Sequence, residues 1–192
     1  MISVGERIRE SIDYMDQGRI EAALTPACIA IDITAQKYFS KPKTTKNDYK
    51  QFLVEHMWLI TYMGLPGVVA ESIKVRFSHK DIINDQDGYC TLEQIIYHVV
   101  RCNLVHSTGI DDRIVWNNHI VLGNDAEGRL IVSSKLIWGL IGAVVFCEAN
   151  RDENINEMYW LSVHDFKFFI NDVWGRIDIP RRILKMNGAF TI

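Results

Sequence analysis

The stretch LIWGLIGAVVFC, Leu136–Cys147, is the longest nearly apolar run in a chain of 192 residues. It falls well short of the roughly 20 residues a membrane-spanning helix needs. It therefore reads as a buried helix, which Ser133 or Ser134 caps and which continues to Ala149. Upstream lie two β-like runs, RIVWNNHIVLG from Arg113 and GRLIVS ending at Ser133. Between them NDAEG, Asn124–Gly128, supplies residues that tolerate positive φ and so predicts a hairpin. Further upstream Thr91 and Gln94 form a capping box that opens the apolar helix TLEQIIYHVV.

The N-terminal third is helical by spacing. Val4, Ile8, Ile12 and Met15 recur every three or four residues over 4–16, and Gly18 marks a break. A stronger pattern runs from Arg19 to Phe39, with Pro26 predicting a kink or restart because it removes a backbone donor. SKPKTTKN is a loop, after which Asn47 or Asp48 caps a helix through Met63, ended by GLPG. VVAESIKVRF carries the alternation Ile73, Val75, Phe77 of a strand, and NDQDG is a turn. Downstream of the apolar run, NRDENINE is a charged loop and SVHDFKFFINDVWG predicts a last helix ended by Gly175. Pro180 and the basic stretch PRRILK close the chain. The expectation is one mainly α domain over 1–192 with a small β insertion at about 114–133.

Composition narrows the function classes. Apolar residues are 48% and charged residues 23%, as in an ordinary globular protein, and the net charge of -3 argues against a surface coated for nucleic acid. A local basic cleft remains compatible with that sum. Lys37, Lys41, Lys43, Lys46 and Lys50 form one basic group, and Arg176, Arg181, Arg182 and Lys185 another; each reads first as a solvated surface and second as a phosphate contact. Cys28, Cys90, Cys102 and Cys147 have no Cys-x-x-Cys spacing, which fits reduced core thiols in a cytoplasmic protein. The start, MISVGERIRESID, lacks the apolar region of a signal peptide.

Common site motifs fail on inspection. DQDG resembles a calcium loop, but Ile83 and Gln94 would stand where carboxylates are required. The chain has no His-Glu-x-x-His pair, no Gly-x-Ser-x-Gly elbow, and no phosphate-binding or dinucleotide glycine loop. Neither a metal nor a cofactor is expected.

The chemistry concentrates in RCNLVHST, Arg101–Thr108, where the apolar helix ends. Arg101 has Tyr97, His98, Leu104 and Val105 as its helical neighbours, so it has no acidic partner on its own helix. His106 titrates near neutrality and can move a proton. Arginine keeps its charge and presents a fork that fits phosphate oxygens. Asn103 can orient the histidine or hold a phosphate oxygen. The bland reading is a surface arginine with a histidine favoured by the helix dipole. On a straight helix Arg101 and His106 do not share a face, since five residues turn roughly 140° beyond one full turn. Either the helix ends before His106, or a second copy of the chain completes the site.

Arg-x4-His at the end of an apolar helix in a helical domain resembles the higher eukaryotes and prokaryotes nucleotide-binding (HEPN) superfamily. The resemblance covers the four or five helices, not the β insertion or the last thirty or so residues. It implies a HEPN-like helical bundle and a metal-independent endoribonuclease. Arg101 and His106 would be the catalytic pair, Asn103 would assist, and two protomers would share one cleft. It also implies RNA as substrate, roles as a toxin or in phage defence, and in some members an inhibitory partner protein. This chain has Cys102 where the family often has a polar residue after the arginine, with Asn103 one place later, and Ser107 where catalytic members often have glycine. Two other readings stand beside it: a non-catalytic HEPN-like module that binds nucleotide, RNA or a partner protein, and a helical scaffold without a ligand. The first reading predicts a homodimer in solution with His106 near the two-fold axis. Light scattering at micromolar concentration checks it, and a monomer there removes the shared cleft.

Overall fold

The computed structural model describes residues 3–65, 67–102, 104, 112–119, 122–156 and 158–188. The described chain mixes helices with three small sheets, so the expected mainly α bundle is corrected to an α/β arrangement. Helices α1 (Val4–Asp16) and α2 (Ile20–Tyr38) open it, packed along each other. Ser3 caps α1 by accepting from the Glu6 N–H at 3.1 Å, while Glu6 returns the bond to the Ser3 N–H. Gly18, at φ 70, turns the chain between the two helices. Pro26 interrupts nothing: α2 runs through it as one helix, with Pro26 buried.

Helix α3 (Lys46–Glu55) is capped by Thr45, earlier than expected, and Asp48 serves as its capping-box partner. The expected single helix to Met63 breaks at His56, after which α4 (Met57–Gly64) begins. His56 is buried between Phe52 and Tyr38, and burial lowers its pKa from the ordinary histidine value. Strands β1 (Lys74–Arg76) and β2 (Tyr89–Thr91) pair antiparallel, with Val75 opposite Cys90 on the buried face. Helix α5 (Leu92–Ile95) follows, and the Gln94 side chain closes on the Thr91 N–H at 2.9 Å. The chain then widens into a π-helical segment, Ile96–Arg101.

The β insertion is larger than a hairpin. Strands β4 (Leu122–Asn124) and β5 (Leu130–Ser133) form the expected hairpin around Asp125–Gly128, and β3 (Ile114–Asn117) adds to the other side of β5 in parallel. The run RIVWNNHIVLG thus holds two strands. The Asn117 side chain accepts from the His119 N–H at 3.0 Å, a local turn bond that ends β3.

The apolar run forms α6 (Leu136–Val145), almost wholly buried against α2 and α4. Its C-terminus is closed at a distance, because the Gly175 N–H donates to the Val145 carbonyl at 2.8 Å. Asn150, fully buried, donates to the Val144 carbonyl and to Thr34 on α2, tying the end of α6 to the middle of α2.

The expected helix over 162–175 is the clearest error. The region is a β-hairpin, β6 (Trp160–Val163) with β7 (Phe166–Phe169), joined by the two residues His164 and Asp165. Val163, Phe166, Ile170 and Val173 happen to recur at helical spacing. The burial alternates instead, with Leu161 and Val163 inside and Trp160 and Ser162 outside. The closing basic stretch forms α7 (Asp178–Met186), which buries Pro180, Ile183 and Leu184. Pro180 sits in the first turn, where its missing N–H has no helical partner to lose.

Helices α4 and α6 approach so closely that a Cβ at Gly139 would collide with the Ile60 carbonyl. At Gly142 the obstacle is the flexible end of Met63. Gly139→Ala is expected to cost roughly 3 kcal/mol, since backbone must move. Gly142→Ala is expected to stay within about 1 kcal/mol, because Met63 can swing aside and alanine favours the helix. Urea unfolding midpoints of the two variants check this; equal losses would contradict the close backbone contact.

Candidate functional site

Three elements converge on Arg101: α2, α3 and the π segment. The apolar face of the π segment, Ile96, Val99 and Val100, is buried, which anchors its backbone and turns Arg101 toward α2. There Arg101 donates from Nη2 to Asp32 at 3.2 Å, with side chains 21% and 28% exposed. That leaves the pair between core and solvent. The guanidinium also lies near the Tyr97 and Tyr49 rings, 5.5 and 6.0 Å from their centroids. Burial works against the Arg101 charge, but the bond and charge of Asp32 outweigh it and raise its pKa above the ordinary arginine value.

The π winding has a local consequence. The Cys102 N–H bonds to the Tyr97 carbonyl, five residues back, so Cys102 stands above Tyr97. Cys102 is half-buried beside the guanidinium. Behind it the site is dry. Tyr49 and Cys28 are both buried and adjoin each other, and the Tyr49 hydroxyl has no well-formed hydrogen bond. Burial, then the Cys28 neighbour, raises the Tyr49 hydroxyl well above its ordinary value. Burial pushes the Cys28 thiol up to about 12.

Of the three site residues expected from sequence, Arg101 is the one the structure describes. Asn103 and His106 lie outside the described residues, so their geometry toward Arg101 is not stated. The sequence reading missed Asp32, Tyr49 and Tyr97. Asp32 did leave a signal, as the one acid in the apolar helical stretch CIAIDITA. Nothing on Arg101's own helix pointed to it, because the pair closes between residues 69 apart in sequence.

The basic groups are partly spent. Lys37 pairs with Glu153 and Lys41 with Asp48. Arg176 and Arg182 both pair with Asp178. His98, buried on the π segment, has its pKa lowered by burial and then by the charges of Lys46 and Lys50. Among the described residues no three His, Cys, Asp or Glu side chains gather in a group that could hold a metal ion. No helix among them is long and apolar enough to cross a membrane.

Comparison with known proteins places the whole described architecture in one lineage. The Rv1289 family model matches residues 3–191. The chain belongs to the Rv1289 family. The uncharacterized protein Rv1289 of Mycobacterium tuberculosis (H37Rv) is 26% identical over 197 residues, covering 98% of this chain and 90% of its own length. The uncharacterized protein Mb1320 of Mycobacterium bovis shows the same identity and coverage. No solved structure matches significantly.

The thiols report on this packing. Cys28, Cys90 and Cys147 are buried, and burial raises all three thiols, Cys28 to about 12 and Cys147 to about 11. A chromogenic disulfide reagent should therefore label one cysteine per folded chain, Cys102, and all four only after unfolding. Rapid native labelling in Cys102→Ser would contradict the buried environment of the other three.

Proposed function

We propose that this chain is a metal-independent endoribonuclease in which Arg101 and His106 act on one phosphodiester. The observation that carries the reading is the setting of Arg101. Its charge is held by Asp32, its side chain is partly open to solvent, and it stands just before Asn103 and His106 in the chain. An arginine kept charged in a half-dry setting interacts more strongly with a phosphate than one in water. Guanidinium has five N–H donors, so one can stay on Asp32 while others meet phosphate oxygens.

The reaction needs no external nucleophile. The ribose 2′-hydroxyl is already held close to phosphorus, a positioning worth roughly 7 kcal/mol or more. His106 takes its proton as the oxygen attacks, Arg101 offsets the charge on the five-coordinate phosphorus, and the 5′-oxygen leaves with the proton that His106 relays. The products are a 2′,3′-cyclic phosphate and a 5′-hydroxyl. Asn103 holds the histidine or a phosphate oxygen. A second protomer would complete the cleft, and roles as a toxin or in phage defence, under an inhibitory partner, follow from the same reading.

The Arg101–Asp32 pair also supports a second reading: a HEPN-like module without catalysis, binding nucleotide, RNA or a protein, in which the pair is structural. Cleavage of single-stranded RNA in excess chelator separates the two. The ribonuclease reading expects a cyclic phosphate product and no cutting of a substrate with one 2′-deoxy substitution at the cleaved nucleotide. It also expects rates at least about a hundredfold lower in Arg101→Ala and His106→Ala, with melting temperatures little changed. A strict need for magnesium, or loss of fold in both variants, would defeat it.

A further inference from the structure

A pocket of about 510 Å³ opens between α4, the start of α6 and the β6–β7 hairpin. Neither Arg101 nor its neighbours line it. Its walls are Tyr62 from α4, Trp138 from α6, and Trp160 and His164 from the hairpin, with Lys135 and Asp165 as its charged members. The volume lies in the range of small-molecule sites.

Three features set it apart from a packing defect. The Tyr62 and His164 rings stack, within 18° of parallel and with centroids 6.5 Å apart, so the wall carries an aromatic surface that a planar ring can extend. His164 adopts φ 53, a left-handed conformation at a two-residue turn where glycine or asparagine would sit without strain. A histidine there costs some stability, and its ring lines the pocket. Its Nδ1 lies 2.8 Å from the Asp165 carboxylate. Lys135 supplies a cation at the rim.

We propose that this pocket binds a nucleotide, with its base against the Tyr62, Trp138 and His164 faces and its phosphate on Lys135. The aromatic walls ask for a planar ring and the lysine for an anion. The choice of a nucleotide over other planar anions rests on the ribonuclease reading. The nucleotide comes either from a single-stranded RNA or from the free pool.

Calorimetric titration of the full chain with deoxyadenosine monophosphate and with a single-stranded deoxyadenylate pentamer tests this. Neither ligand has a 2′-hydroxyl, so binding is read apart from cleavage. One site per chain is expected. Tighter binding of the pentamer assigns the pocket to an RNA strand, and binding of the monophosphate alone assigns it to a free nucleotide. His164→Gly should raise the melting temperature by about 2 °C by releasing the strained turn, yet weaken binding about tenfold through the lost stacking face. Lys135→Gln should weaken the monophosphate and leave deoxyadenosine unchanged. Absence of binding heat with both ligands, or wild-type affinity in His164→Gly, overturns the proposal. A chain that binds but leaves RNA intact would lose the ribonuclease reading and keep this pocket; one that cuts RNA without binding heat would do the reverse.

Discussion

The backbone contact between α4 and α6 at Gly139 is the constraint on which the rest depends. An apolar helix must be covered on every side, and α6 is covered by α2 on one face and α4 on another. With glycine at the crossing, the Ile60 carbonyl comes directly against α6 and no side chain separates the two helices. Gly64 repeats the device at the other end, against the backbone of Leu136. Two consequences follow. Tyr62 and Met63, one turn along α4, are set beside Lys135 and Trp138, which makes one wall of the aromatic pocket. The opposite face of α6 is left for α2, the helix that carries Cys28 and Asp32 to Arg101.

The two candidate sites thus hang on one core and differ in kind. The Arg101 site is electrostatic. A single ion pair spans α2 and the π segment, over a dry floor of Tyr49 and Cys28. The aromatic pocket is built of faces, with charge only at its rim. Distance in sequence explains how each is held. Asp32 and Arg101 are brought together by the core packing of α2 against the π segment, whereas His164 is held by its own hairpin.

Local chemistry in the sequence led to the right elements wherever it was unambiguous. Gly18, the Asn124–Gly128 turn, the Thr91–Gln94 cap and the buried run at 136–147 all act as elementary rules expect. Failures came where two periods fit the same residues. Val163, Phe166, Ile170 and Val173 satisfy a helix, while Leu161 and Val163 satisfy a strand, and the pairing with β7 decided between them. The third strand of the β insertion was hidden because β3 and β5 pair in parallel, which no turn signal announces. The site divided in the same way. Arg101 stood out by residue type. Asp32 and the two tyrosines did not, because their importance lies in a meeting of three elements that only the fold creates.

An arginine that already has a carboxylate partner might be thought too neutralised to serve a phosphate. The geometry argues otherwise. The contact to Asp32 uses one terminal nitrogen at 3.2 Å, a single bond and not a two-pronged one. Beside the guanidinium stand Cys102 and the two tyrosine rings. Removing Asp32 would free the whole charge, but it would also free the side chain, and a long mobile arginine loses rotamer entropy each time it grips a substrate. Asp32 therefore gives up part of the Coulomb attraction in return for a guanidinium already fixed in direction. Which effect dominates depends on how much water remains at the pair. At about a quarter exposure the aspartate's repulsion of a phosphate weakens through distance, while its hydrogen bond holds the guanidinium directly. In the ribonuclease reading the orienting effect would outlast the neutralising one, and Asp32 would be a positioning residue for Arg101.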